Sequence, residues 1–392
     1  MRKFILLAVS GLLAVSMMTS CSGGSDGNGG GDGGPVVKIG VFEPQSGDNG
    51  AGGKQEALGM QYANALTPTV DIGGETYRVE LVFADNQSAN DKAPSAAQTL
   101  VSAGCSVVLG SYGSGVSIAA SDTFGDAGIP VIGVTCTNPQ VTQGNSHYFR
   151  ICFLDPFQGV VLANFAKEMF SATKAYCLAK QGDDYSVGLC NYFMEAFGPE
   201  NCVYETFPEG TSDYSSYVAN AKTAGAQVFF SPVSTEAAAL IIDQAATQNL
   251  GAPLLAGDTW DSNVILNAAE GKDIELFVTT FYQEGGDAAF DEGIKDWINS
   301  DQQNIANNGG DDKIAATSAM GYDAYYVALE ALKAAGSTDP GDVLNVLSDV
   351  TYEGVSGAIA FDEIGDAIRS MAYVKACDTD TATWRFVTTQ GV

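Results

Sequence analysis

Four polar stretches, each directly after a short apolar run, hold the side chains that could grip a small zwitterion. After CSVVLG (105–110) comes Ser111-Tyr112-Gly113-Ser114-Gly115-Val116-Ser117. Small residues there let a ligand reach backbone N–H groups at the start of a helix expected near Ser117–Phe124, and a helix N-terminus favours a carboxylate. Ser114 adds a hydroxyl. After IPVIGV (129–134), Thr135 and Thr137 flank Cys136. After KAYCLA (174–179), Tyr185 opens another helix. After APLLAG (252–257) come Asp258, Thr259, Trp260 and Asp261, two carboxylates and an indole that could meet an ammonium group. Each stretch also has a plainer use. The glycine-rich loop is also a capping turn, and Asp258 and Asp261 are also helix caps, a role that suits Asp261 better.

Other chemistries fail on detail. Gly47-Asp48-Asn49-Gly50-Ala51-Gly52-Gly53-Lys54-Gln55 follows a strand but has Asp48 and Gln55 where a phosphate loop needs Gly and Ser or Thr. Gly110, Gly113 and Gly115 are wrongly spaced for a dinucleotide fingerprint. His147 is the single histidine and there is no CxxC, so neither a zinc cluster nor a Ser/His/Asp triad is expected. The expectation is a binding protein that is not an enzyme and uses no cofactor.

The elements that must position these residues follow from the apolar pattern. Runs at 36–43, 77–84, 105–110, 129–134, 174–179, 202–207, 227–232 and 252–257 are β-rich, and most are continuously apolar over four to six residues. That marks strands covered on both faces. Helical spacing lies between them, as in Gln55–Leu66 and Ala316–Ala335. Alternation of this kind predicts parallel sheets with helices on both sides. About four strands precede residue 140 and about four lie between 174 and 257, which predicts two doubly wound sheets. Ligands bind beyond the carboxyl ends of such strands, where the four polar stretches lie. A boundary is expected near 150–156, with Pro156 at a helix start. Helices are expected at 286–300 and 314–335, and a β-hairpin is expected to pair 354–362 with 371–377. The chain would then cross between lobes three times.

The N-terminus reads as an address. Arg2 and Lys3 precede an apolar run, Phe4 to Met18, too short for a comfortable membrane span. Met18-Thr19-Ser20-Cys21 resembles a bacterial lipoprotein box, so Cys21 is the expected lipid attachment site, followed by a Gly-rich tether, Ser22 to Gly34, reaching roughly 20 Å. The formal net charge of −29 falls to −31 without Arg2 and Lys3. It argues against nucleic acid as a partner. Seven cysteines remain after Cys21, an odd number whose pairing the spacing leaves open.

Three stretches, KIGVFEPQSG, LVFADNQSANDKAPSAAQTLV and GSYGSGVSIAASDTFGDAGIPVIGVTCTNPQV, resemble the first lobe of the type I periplasmic binding proteins, nearest the branched-chain amino-acid (Leu/Ile/Val) binding group. The likeness runs from about Val37 to near Asp366. It implies a Venus-flytrap: lobe 1 from 35–154 plus 283–353, lobe 2 from 155–282 plus 354–392, joined by a three-stranded hinge. It also implies that Ser114, Thr135 and Thr137 meet the ligand's carboxylate and ammonium, that Tyr185 closes over it, and that Asp258, or Thr259 by a one-residue shift, meets the ammonium. Tyr112, Cys136, Trp260 and Thr317 are secondary candidates. The family's aromatic positions are Gly52 or a neighbour, Val233 and Thr317 here, so an altered side-chain pocket is expected, partly filled by Trp260. The implied protein is a monomeric, exported lipoprotein that hands a small amino-acid-like molecule to an ABC permease. A lipid-anchored sensor domain, or an amide, urea-like or carboxylic acid ligand, are the alternatives.

Overall fold

The computed structural model describes residues 34–391. The expected signal segment, Cys21 and nearly all of the tether lie outside the described residues. No helix among the described residues is long and apolar enough to cross a membrane.

The first part of the chain runs β1 (Val36–Glu43), α1 (Gly50–Leu66), β2 (Thr69–Ile72), β3 (Glu75–Asp85), α2 (Ala93–Ala103), β4 (Val107–Leu109), α3 (Ser114–Asp126), β5 (Val131–Gly133) and β6 (Tyr148–Arg150). These strands form one sheet in the order β2-β3-β1-β4-β5-β6. It is parallel apart from the β2–β3 pair. Side-chain alternation covers both faces. Ile39, Val41, Val107 and Leu109 face an apolar layer with Met60 of α1, while Phe42, Val108 and Val131 face one with Leu100 of α2 and Phe124 of α3.

The second part runs α4 (Asp155–Phe170), β7 (Ala175–Lys180), α5 (Asp184–Phe197), β8 (Cys202–Phe207), α6 (Ser215–Ala224), β9 (Val228–Phe230), α7 (Thr235–Thr247), β10 (Leu254–Ala256), α8 (Asn263–Ala269) and β11 (Leu276–Thr280). The chain then returns to the first sheet's side. There α9 (Ala288–Asn299), α10 (Gln302–Asn307) and α11 (Ala316–Ala335) pack against α1, and α12 (Pro340–Leu347) follows on α11. Strands β12 (Tyr352–Gly354), β13 (Gly357–Ile359), β14 (Ala372–Asp378) and β15 (Thr383–Gln390) end it. The second sheet has the order β15-β14-β11-β10-β9-β7-β8, antiparallel only at β14 and β15. The two doubly wound parallel sheets expected from the apolar runs are present.

The expected pairing of 354–362 with 371–377 is not formed. Gly354 instead pairs with Gly357 in a tight β12–β13 hairpin. This hairpin is held on α11, where Asp323 accepts the N–H groups of Val355 and Ser356 at 2.9 Å each. Strand β14 pairs with β11 and β15. The buried Asp323 carboxylate offers those N–H groups a partner that a long hairpin would not. Aromatic rings fill the region where the chain passes between sheets, with Phe153 and Phe281 centroids 4.1 Å apart.

Candidate ligand-binding site

Helix α3 begins at Ser114, three residues earlier than its expected start, because Gly113 in extended conformation serves as its N-cap and brings no side-chain cap. The first-turn N–H groups of a helix have no intrahelical acceptor, and here they border a crevice. Tyr112, Gly113, Ser114 and Gly115 line it on one side, and Tyr185 and Thr259 on the other. Ser114 Oγ accepts the Asn138 N–H at 3.2 Å, tying the loop after β4 to the loop after β5. In that second loop the Thr135 hydroxyl donates to Glu56 Oε2 at 2.5 Å. Thr137 Oγ1 is buried and has no hydrogen-bond partner within the protein. Cys136 between them turns the other way. Its side chain belongs to the apolar layer with Val116 and Phe124, so its sulfur is not part of the crevice.

From the second sheet, Asp183 caps α5 by accepting the Ser186 N–H at 2.8 Å, which sets Tyr185 in the first turn. The Tyr185 hydroxyl donates to Asp258 Oδ1 at 3.2 Å and lies 3.4 Å from Thr259 Oγ1. Gln158 of α4 donates to the same Asp258 oxygen at 2.8 Å. Asp258 Oδ2 is left without a partner. Burial pushes the Asp258 carboxyl up to about 6, against the lowering effect of the Gln158 and Tyr185 hydrogen bonds.

Two residues of this stretch have other duties. Trp260 is fully buried among the apolar side chains behind β9 and β10, its indole N–H bonded to the Val233 carbonyl at 3.0 Å, so it does not fill the ligand side-chain pocket. Asp261 does not cap α8; Ser262 does, and Asp261 is paired with Lys375 at 2.9 Å. Thr317 is buried in the first turn of α11 with its hydroxyl unpartnered.

Reading the strand ends alone missed the deeper layer: Glu43, Glu56, Asp155 and Gln158, all fully buried. Glu43 ends the strand VVKIGVFE, and a charged residue closing an otherwise buried strand was the available signal. Its Oε2 accepts the Tyr112 N–H at 2.8 Å. Burial raises Glu43 well above the usual carboxylate range, with Glu56 beside it adding to the effect. Burial also lifts Glu56 to about 7. Asp155 precedes Pro156 at the start of α4, where only the helix boundary drew notice. Burial raises its carboxyl strongly.

The two sides of the crevice are in contact. The Tyr112 ring occupies the space over Gly52, where an added Cβ would lie 2.3 Å from it. Its hydroxyl donates to the Thr259 carbonyl at 3.0 Å. Gln55 bonds Asn263 at 2.8 Å and Ser262 at 3.0 Å, Asn138 donates to the Asp184 carbonyl at 2.8 Å, and Lys180 pairs with Asp48 at 2.6 Å. This is a closed clamp.

The family model described as periplasmic binding protein matches residues 36–381, all of the first sheet and every strand of the second except β15. The chain belongs to the periplasmic binding protein family. Among the relatives of this periplasmic binding protein is a Leu/Ile/Val-binding protein homolog 1 of Brucella abortus (strain 2308), 29% identical over 84% of this chain and 87% of the relative. The crystal structure of the leucine-binding protein LivK from Thermotoga maritima superposes with a TM-score of 0.79 at 30% identity, covering 91% of this chain and 99% of that one. An R. palustris solute-binding protein of an ABC transporter, solved with benzoate, shares the fold with a TM-score of 0.77 at 17% identity, covering 91% and 96%. The type I branched-chain amino-acid-binding resemblance is thereby established at the level of family and fold. All seven cysteines of the described part are free.

Proposed function

We propose that this periplasmic binding protein is the lipid-anchored solute receptor of an ABC uptake system and that its ligand is an amino acid. The observation that carries the reading is the opposition of charges across one crevice. The open N-terminus of α3, with Ser114, suits a carboxylate. The Asp258 carboxylate on the other side, with one oxygen free, suits an ammonium. Ser114, Thr135 and Thr137 would hold the ligand on the first lobe, and Tyr185 and Asp258 would close on it from the second. Two lobes divide near 154/155 and 282/283; the third crossing, expected at 353/354, falls after β13 instead, because the β12–β13 hairpin is held on α11 by Asp323. Closure is favoured to the extent that the ligand binds the closed form better than the open one. Cys21 would carry the acyl chains, and the closed monomer would dock on a membrane permease.

A thermal-shift screen of the purified protein against amino acids, amides and aromatic acids tests this. A ligand at about 100 times its Kd adds roughly 2.7 kcal/mol, several degrees for a body of this size. A hit among amino acids supports the reading. A shift with benzoate-type acids alone, which have no ammonium for Asp258, would overturn the amino-acid ligand and keep the binding role.

A further inference from the structure

Four fully buried carboxyl groups, those of Glu43, Glu56, Asp155 and Asp258, lie behind the crevice lining, Glu43 bonded to the Tyr112 N–H and Asp258 to the Tyr185 hydroxyl. Each has oxygens without a partner in the protein: Glu43 Oε1, Glu56 Oε1, both oxygens of Asp155 and Asp258 Oδ2. Beside them the Thr137 hydroxyl lies against Asp155, lowering its carboxyl, and Gln158 Oε1 is unpartnered. Buried acceptors are nearly always bonded, so a cluster of orphans asks for a donor-rich guest. The neighbours form a continuous chain. Glu43 faces Glu56, Glu56 and Asp155 each feel the charge of Asp258, and Asp258 is bonded to Gln158 and Tyr185.

The protein's buried cations are paired elsewhere, and only Arg150 acts on one of the four, Asp155. Arg150 is paired with Asp366 at 2.5 Å and Lys375 with Asp261 at 2.9 Å. Among the described residues no three carboxylate, His or Cys groups converge as a metal ion would require. The carboxyls follow one another instead of converging on one point, which suits an extended organic cation.

An amino acid with a neutral side chain brings one ammonium, and Asp258 is enough for it. The Glu43 and Glu56 oxygens would then be left facing each other, joined only by a shared proton. We infer that the ligand carries a second cationic group, on its side chain, received by Glu56 and Glu43: an α-amino acid of the lysine, ornithine or arginine class. This rests on the amino-acid site proposed above. Tyr112 links the two levels, since it lines the crevice while its N–H holds Glu43. Its interlobe bond to the Thr259 carbonyl opens when the lobes part, exposing the deeper carboxyls to an entering side chain.

Titration calorimetry on the purified protein at pH 7 with lysine, ornithine, arginine, leucine, isoleucine and valine decides it. One basic amino acid is expected to bind at least tenfold tighter than any aliphatic one. Glu56→Gln and Glu43→Gln should each reduce that preference severalfold, and melting curves show whether the variants fold. If they do not fold, the ranking by the wild-type protein decides alone. Aliphatic amino acids binding as tightly or tighter overturns the inference and leaves the amino-acid site standing. A basic preference untouched in folded variants overturns the assignment to Glu43 and Glu56. No binding of any amino acid overturns the proposed function, and this inference with it.

Discussion

The Tyr112 hydroxyl donates to the Thr259 backbone carbonyl at 3.0 Å, so the residue that starts the crevice on the first lobe also latches it to the second. A neutral hydrogen bond of this kind contributes about 1 kcal/mol. Tyr112→Phe keeps the ring over Gly52 and removes only the latch. Ligand affinity should fall about fivefold, and small-angle scattering of the ligand-free variant should show a more open average shape.

Asp258 and Thr137 are expected to touch the ligand from opposite lobes. Asp258→Asn keeps the bonds from Gln158 and Tyr185 but removes the charge. Losing a charged hydrogen-bond partner costs about 1.5–3 kcal/mol, or roughly 10- to 100-fold in Kd. Thr137→Ala should cost less, near tenfold. Calorimetry that finds both variants binding like the wild type would remove these residues from the site.

The Arg150–Asp366 pair is a stability element beneath the binding loop. Arg150 also donates to the Cys136 and Asn138 carbonyls, at 2.9 and 2.5 Å, holding the loop that carries Thr135 and Thr137. Asp366→Asn strands a buried guanidinium. The expected loss is about 3–5 kcal/mol in urea unfolding.

Stability should depend on pH with an unusual sign for carboxylates. Glu56 and Asp258 titrate near 7 and 6 in the folded protein, above their ordinary 4.5 and 3.8. Glu43 and Asp155 are raised as well. The folded state thus holds protons the unfolded state has lost. The contribution is fully present below about pH 4 and is lost as pH rises through about 7, on the order of 3 kcal/mol for each of Glu56 and Asp258. The ligand-free protein should therefore lose Tm from pH 4.5 to 7.5, and Asp258→Asn should flatten the slope. A rising Tm over that range in the wild type would show that these groups ionise freely.

Cys21→Ala removes the proposed lipid attachment. Fractionation of cells should find the variant in the soluble exported fraction, with ligand affinity unchanged. Retention in the membrane fraction would place the anchor elsewhere.

Much of the molecule was legible in the chain because local physics dictated it. Continuous apolar runs such as CSVVLG can only be strands covered on both faces, and their alternation with helices implies two parallel sheets. Ser114, Thr135 and Tyr185 stood out because they follow strand ends, and the structure places Ser114 and Tyr185 on the lining of the crevice. Residues near in sequence, however, took unrelated roles. Asp258 bonds Tyr185 and Gln158 behind the crevice while Trp260 joins the core and Asp261 pairs with Lys375, which is 114 residues away. Spacing cannot separate those three, because the direction of each side chain is set by the short 3-10 turn Asp258–Trp260, which Asp261 ends, and by packing against β9, β10 and β14. Glu43, Glu56, Asp155 and Asp258 lie on four separate elements and read individually as solvated or capping residues. Their meeting, and the charge it concentrates, exists only once the two sheets close on each other. Sequence determined the strands, the helices and the polar rim; tertiary structure alone decided which carboxyls are buried together, because burial and like-charge proximity are properties of the closed crevice and not of any one segment.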